Sequence, residues 1–178
     1  AGHVGVRNQL LAEQRLVALQ EPGAFARIFA RSCVRRCENM KTLYIYGPPA
    51  SGKSTLARNL SRQWGRMSVD LDEEITRREG RTIPEIFATE GEAGFRRIER
   101  ETLERVKAPI VALGGGTLLD PACRAYAEKH GFVVVLDVDD ATLAERIAAA
   151  KGTRPLGNKA AERRAHYASF PHHVDADT

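Results

Sequence analysis

The segment Tyr44-Ile45-Tyr46-Gly47-Pro48-Pro49-Ala50-Ser51-Gly52-Lys53-Ser54-Thr55 constrains this chain more than any other. An apolar run stops at Gly47. A loop rich in Gly and Pro follows, and Leu56-Ala57-Arg58-Asn59-Leu60 continues as a helix would. Gly47, Gly52, Lys53 and Ser54 fit the phosphate-binding pattern G-x-x-x-x-G-K-[ST]. Glycines let the backbone curl so that successive N–H groups face phosphate oxygens. The helix start adds unpaired N–H groups and the positive end of its dipole. Lys53 brings a point charge to the phosphates, and the Ser54 hydroxyl is a hard oxygen suited to Mg²⁺. An ordinary Gly/Pro turn is the alternative, but it would not require Lys-Ser at the helix start.

Further along, Asp70 and Asp72 stand 16 and 18 residues after Ser54, room for one helix and a return strand. Residues two apart in an extended segment point the same way. Both carboxylates are therefore expected to face the phosphate loop, one serving Mg²⁺ through water and the other a substrate hydroxyl. A capping role is the competing reading, since Asp before Glu73-Glu74-Ile75 also starts a helix well. Phe95-Arg96-Arg97-Ile98-Glu99 places two arginines roughly 100° apart around a helix. One can enter a cleft and grip a carboxylate with two hydrogen bonds while the other meets solvent. Gly114-Gly115-Gly116 follows a buried strand and allows a ligand close to the backbone. Lys151-Gly152-Thr153-Arg154-Pro155-Leu156 reads as a lid carrying Arg154 over the phosphates.

From Lys41 onward, strand and helix alternate. Strands are expected at Thr42–Tyr46, Met67–Leu71, Pro109–Leu113, Phe132–Val138 and His173–Asp175. Helices are expected at Gly52–Trp64, Asp72–Glu79, Ile83–Ala88, Glu92–Val106, Pro121–His130 and Ala141–Ala150. This alternation implies an α/β fold, a parallel sheet with helices on both faces. At 178 residues and 43% hydrophobic content the chain holds one domain with a real core, plus an appendage. Residues 1–39 read as two short basic helices of unassigned role, carrying six Arg against three Glu. Residues 40–178 are nearly neutral, with 21 basic and 20 acidic residues. That balance gives no general electrostatic case for nucleic acid.

Cys33, Cys37 and Cys123 make neither a disulfide framework nor a zinc pattern. No apolar run approaches the roughly 20 residues that span a bilayer. The expectation is a cytoplasmic monomer with no membrane partner.

Taken together, these residues resemble the shikimate kinase family from about Met40 to the end of the chain. The phosphate loop discriminates weakly. The run Asp70-Leu71-Asp72-Glu73-Glu74-Ile75, then Gly80-Arg81-Thr82-Ile83-Pro84-Glu85-Ile86-Phe87, Gly91-Glu92 and Phe95-Arg96-Arg97-Ile98-Glu99 is far more specific. Leu113-Gly114-Gly115-Gly116 and Arg154-Pro155-Leu156 complete it. The resemblance implies a P-loop fold like that of nucleoside-monophosphate kinases, with residues 40–178 as the kinase domain and a lid at about 151–160. It implies transfer of the γ-phosphoryl of ATP to the 3-hydroxyl of shikimate in aromatic amino acid biosynthesis, with Mg²⁺.

By that likeness, ATP would lie on Gly47, Ala50, Ser51, Gly52, Lys53, Ser54, Thr55 and Arg154. Lys53, Asp72 and Arg154 would be catalytic, and Ser54 with Asp70 would serve the metal. Asp72, Arg96, Gly115 and Gly116 would bind shikimate, joined by a second carboxylate-gripping arginine. Arg164 precedes Ala165 as the family pattern asks, while Arg163 has the expected distance to Tyr167; Arg164 is preferred and Arg163 stays open. The stretch from Arg154 to Tyr167 is also shorter than the family's lid and following helix. Two other readings remain: a non-catalytic effector domain of a transcription regulator, and a related kinase for another substrate such as gluconate.

Overall fold

The computed structural model describes residues 41–149 and 163–176. The expectations for residues 1–39 and for the lid with Arg154 lie outside them. Among the described residues, five strands form one parallel sheet: β1 (Thr42–Tyr46), β2 (Ser68–Asp70), β3 (Ile110–Ala112), β4 (Gly131–Asp137) and β5 (His173–Asp175). Their order is β2-β3-β1-β4-β5. In chain order the strands run outward past β3 and then cross to the other side of β1. The order therefore reverses beside β1, and parallel sheets bind ligands at the carboxyl ends of the strands flanking such a point. The registers put Ile45 opposite Ala112 and Tyr46 opposite Val135, so the phosphate loop leaves the sheet there.

The helices follow local signals. α1 (Lys53–Trp64) starts at Gly52 and stops at Gly65, both left-handed. It packs against β1, β2 and β3. α2 (Leu71–Glu79) begins directly after β2 because the Asp70 side chain accepts from the Asp72 and Glu73 N–H groups. β2 therefore ends at Asp70, and Leu71, expected in the strand, opens the helix instead. α3 (Ile83–Arg105) starts with a reciprocal cap between Thr82 and Glu85. It bends at Gly91, whose φ of 68° and ψ of −174° are not helical. That break separates the two helical stretches expected at Ile83–Ala88 and Glu92–Val106. α4 (Pro121–His130), α5 (Asp140–Ala149) and the short α6 (Arg164–Tyr167) complete the described set.

The core gathers Tyr44 and Tyr46 of β1, Leu71 and Ile75 of α2, Phe95 and Ile98 of α3, and Val133 and Val135 of β4. All three β3 residues are buried, as an interior strand requires. Tyr167 and Phe170 pack their rings on Tyr46 at centroid distances of 5.2 and 5.5 Å, which seats α6 on the end of β1. No described helix is long and apolar enough to cross a membrane.

Candidate active site

The loop after β1 turns sharply at Gly47. Its φ is 138°, and a β-carbon there would lie 2.8 Å from the Leu136 carbonyl oxygen of β4. Only glycine suits both conditions. Ala50 also has a positive φ, 63°, a strained conformation for a residue with a side chain. The Ser51 N–H closes the turn onto the Pro48 carbonyl at 3.3 Å. Lys53 is only 9% exposed and folds back, its Nζ donating to the Pro48 carbonyl at 2.6 Å and approaching Ser51 Oγ at 3.4 Å. Gly52 caps α1 with no side-chain acceptor, and the first turn holds no acid. The orphan N–H groups and dipole end of α1 thus face the loop with no acid in the helix's own first turn. Ser54 lies beneath, its hydroxyl bonded to Asp70. The Thr55 side chain is exposed one residue further on.

The glycine run after β3 meets this loop directly. A β-carbon on Gly115 would stand 3.0 Å from Pro49 Cδ and 3.3 Å from the Gly47 carbonyl. On Gly114 it would meet Asp72 Oδ1 at 3.1 Å and Glu99 Oε1 at 3.2 Å. On Gly116 it would meet Arg96 Nη2 at 2.9 Å and Arg163 Nη1 at 3.0 Å. Two cations and two carboxylates from three separate elements therefore ring three residues that have no side chains of their own. The Gly115 carbonyl accepts from Tyr167 Oη at 2.6 Å and Arg163 Nη1 at 3.1 Å, with the Tyr46 hydroxyl at 3.5 Å. Burial raises both tyrosine hydroxyls above the ordinary phenol range, so they serve as neutral donors.

Residues 49–173 match the shikimate kinase family. The chain belongs to the shikimate kinase family. It is 45% identical over 117 residues to the shikimate kinase of Salinibacter ruber, a match covering 64% of this chain and 57% of that one. It is 44% identical over 117 residues to the shikimate kinase of Stenotrophomonas maltophilia, covering 64% of each. The chain thus spans under two thirds of the length of these relatives. Its fold superposes on the shikimate kinase from Acinetobacter baumannii in complex with shikimate with a TM-score of 0.72 at 29% identity, covering 86% of this chain and 88% of that one. The expected P-loop α/β kinase fold is the observed one.

Within this family frame, one expectation needs correction. Asp70 and Asp72 do not share one face of an extended strand. Asp70 has extended dihedrals, but Asp72 already lies in the first turn of α2. The cap sends the two carboxylates apart, Asp70 toward Ser54 and Asp72 toward Gly114. Both therefore border the cleft, by a helix start rather than by strand alternation. The structure also places the two candidate arginines before Tyr167 differently. Arg163 is 7% exposed and reaches Gly115, whereas Arg164 lies at the surface in an ion pair with Asp140. Packing of Tyr167 on Tyr46 fixes which side of α6 meets the glycine run, and Arg163, one turn before Tyr167, falls on that side.

Arg96 and Arg97 diverge as their spacing implies. Arg97 pairs with Glu90 at 3.0 Å and Glu101 at 3.3 Å on the outer side. Arg96 donates inward to Glu99 Oε2 at 2.6 Å. Burial pushes the Glu99 carboxyl up, and Arg96 and the Thr117 hydroxyl pull it back toward the ionised form. Glu99, Thr117, Tyr46 and Tyr167 are further residues that the fold brings to the site. For Glu99 a signal existed, since Arg96 and Glu99 are three apart and share one face of a helix.

Proposed function

We propose that this chain is an ATP-dependent kinase that transfers the γ-phosphoryl group of ATP to the 3-hydroxyl of shikimate. One observation carries the reading: the glycine run bordered by Arg96, Arg163 and Asp72 lies against the phosphate loop at Pro49 and Gly47. An acidic polyol seated on that run has its carboxylate at the two guanidinium groups, which suit planar bidentate pairing. Its hydroxyls lie toward Asp72, and the ring sits beside the loop that cradles phosphates.

Each chain residue has a simple task. Gly47, Ala50, Ser51, Gly52 and Thr55 offer backbone N–H groups to the nucleotide's phosphates. Lys53 neutralises charge on the oxygens of the transferring group. Asp72 orients the attacking hydroxyl and accepts its proton. The hydroxyl oxygen forms the new bond to phosphorus as the bond to the ADP oxygen breaks. Gly115 and Gly116 hold the ring by backbone contact. The role of Arg154 as a lid cation rests on the sequence resemblance.

Ser54 and Asp70 fit Mg²⁺: a hydroxyl and a carboxylate already in contact are hard oxygen donors. Mg²⁺ binds through one or two carboxylates plus substrate phosphates, so a larger acidic cage is not needed, and none exists among the described residues. When bound there, the ion would offset negative charge on the nucleotide's phosphates.

The test is ADP release with ATP and Mg²⁺, with and without shikimate. Turnover that requires shikimate, and that Lys53→Met abolishes while the far-UV circular dichroism stays native, is the expected result. ADP release unaffected by shikimate would overturn the proposal.

A further inference from the structure

Glu99 is only 1% exposed, and each of its oxygens has its own partner. Oε2 accepts from Arg96 Nη1 at 2.6 Å, and Oε1 accepts from Thr117 Oγ1 at 2.6 Å. Thr117 is itself fully buried, at the start of a 3₁₀ turn spanning Thr117–Leu119. Its backbone N–H donates to the Gly114 carbonyl at 3.2 Å, which anchors the hydroxyl beside the glycine run. A hydroxyl has one proton to give, and this one goes to a carboxylate.

The surroundings make that bond consequential. Asp72 Oδ1 and Glu99 Oε1 stand against the same Gly114, so two acids crowd one buried spot. Like charges at close range favour protonating or turning one of them. A donor placed on Glu99 Oε1 opposes both. It favours the ionised form and holds that oxygen in place, and so keeps the other oxygen aimed at Arg96. Arg96 offers five N–H donors in a rigid fork, and its position follows from the one that Glu99 engages. With Nη1 held by Glu99, Nη2 faces Gly116 beside Arg163, with the exposed Glu92 carboxylate a further partner at 3.6 Å.

We propose that Thr117 is a positioning residue for carboxylate recognition: through Glu99, its hydroxyl orients the Arg96 guanidinium toward the acidic group of the substrate. This rests on the reading of shikimate as substrate given above. Thr117 touches neither substrate nor nucleotide; it acts on affinity for the acid and leaves the phosphate loop alone.

Three variants test it: Thr117→Val keeps the shape without the hydroxyl, Thr117→Ala removes both, and Thr117→Ser keeps the hydroxyl. Steady-state kinetics give KM for shikimate and for ATP in each, and thermal melting checks the fold. The expected result is a rise of about tenfold in KM for shikimate in Val and Ala, the scale of one lost bond to a charged group, with KM for ATP unchanged and Ser close to wild type. If the Val variant does not fold, the Ala and Ser pair still isolates the hydroxyl. Equal rises in both KM values, an unchanged KM for shikimate, or a Ser variant as impaired as Ala would overturn the inference alone. A wild-type chain without shikimate-dependent turnover would overturn the substrate reading, and the inference with it.

Discussion

Arg96 of α3 and Arg163 at the start of α6 bring their guanidinium groups to the same side of Gly116, 2.9 and 3.0 Å from where its β-carbon would be. A side chain at Gly116 would press against both groups. Gly116→Ala should therefore push both groups aside. The expected outcome is a rise of roughly tenfold or more in KM for shikimate, about 1.4 kcal/mol or above, with ATP affinity unmoved. Calorimetry with each ligand checks it, and equal weakening of both would count against the assignment.

The neighbours Arg163 and Arg164 should behave as opposites. Arg163→Ala removes a buried cation from the glycine run and should weaken shikimate far more than ATP. Arg164→Ala removes an exposed partner of Asp140 and should leave both KM values within error. Kinetics of the two single variants side by side decide the matter; a larger effect at Arg164 would make Arg164 the carboxylate-binding arginine.

Asp70 combines a cap with a hydroxyl contact, and the two can be separated. Asn caps a helix about as well as Asp. Asp70→Asn should thus keep the melting temperature while raising the Mg²⁺ concentration needed for half-maximal rate. Asp70→Ala should lose both, with about 1 kcal/mol of stability gone. A Mg²⁺ titration of rate in the Asn variant that overlays the wild type would remove Asp70 from the metal's surroundings.

His166 stacks edge-on to Tyr46 and Phe170, with Nε2 buried and without a hydrogen-bond partner. Burial first, then Arg124 and Arg163, depress its pKa below the ordinary 6.5. The unfolded chain therefore binds this proton more readily than the folded one. The associated stability is present above about pH 6.5 and is lost as pH falls through the depressed folded value. The melting temperature should drop between about pH 7.5 and about pH 5.5, and His166→Phe should drop by less over the same range. Identical pH dependence in the two proteins would contradict this.

Cys123 is buried in α4, and desolvation, followed by the charges of Asp120 and Glu99, pushes its thiol up to about 12. Thiolate, not thiol, reacts with alkylating agents. Native protein treated with iodoacetamide near neutral pH should leave Cys123 unmodified, and denatured protein should not. Peptide mapping by mass spectrometry reads the difference, and native labelling at Cys123 would refute it.

The amino-acid order alone determined the parts that short-range chemistry controls. The phosphate loop between β1 and α1 was legible because its glycines, Lys53 and Ser54 sit within one turn of chain. The five strands and the longer helices were legible to within a residue or two because their periodicity and caps are local, while the four-residue helix Arg164–Tyr167 and the 3₁₀ turn Thr117–Leu119 were not. The separation of Arg96 from Arg97 followed from helix pitch. What depended on rotation and packing was not legible. Asp70 and Asp72 part because a side chain capped the next helix, and a strand pattern contains no such information until the helix start is known. Arg163 rather than Arg164 meets Gly115 because Tyr167 and Phe170 dock on Tyr46, a contact between distant segments that sets how a four-residue helix is turned. Thr117 reaches Glu99 only after the chain has folded back across the sheet, where burial makes each hydrogen bond to a charged group decisive.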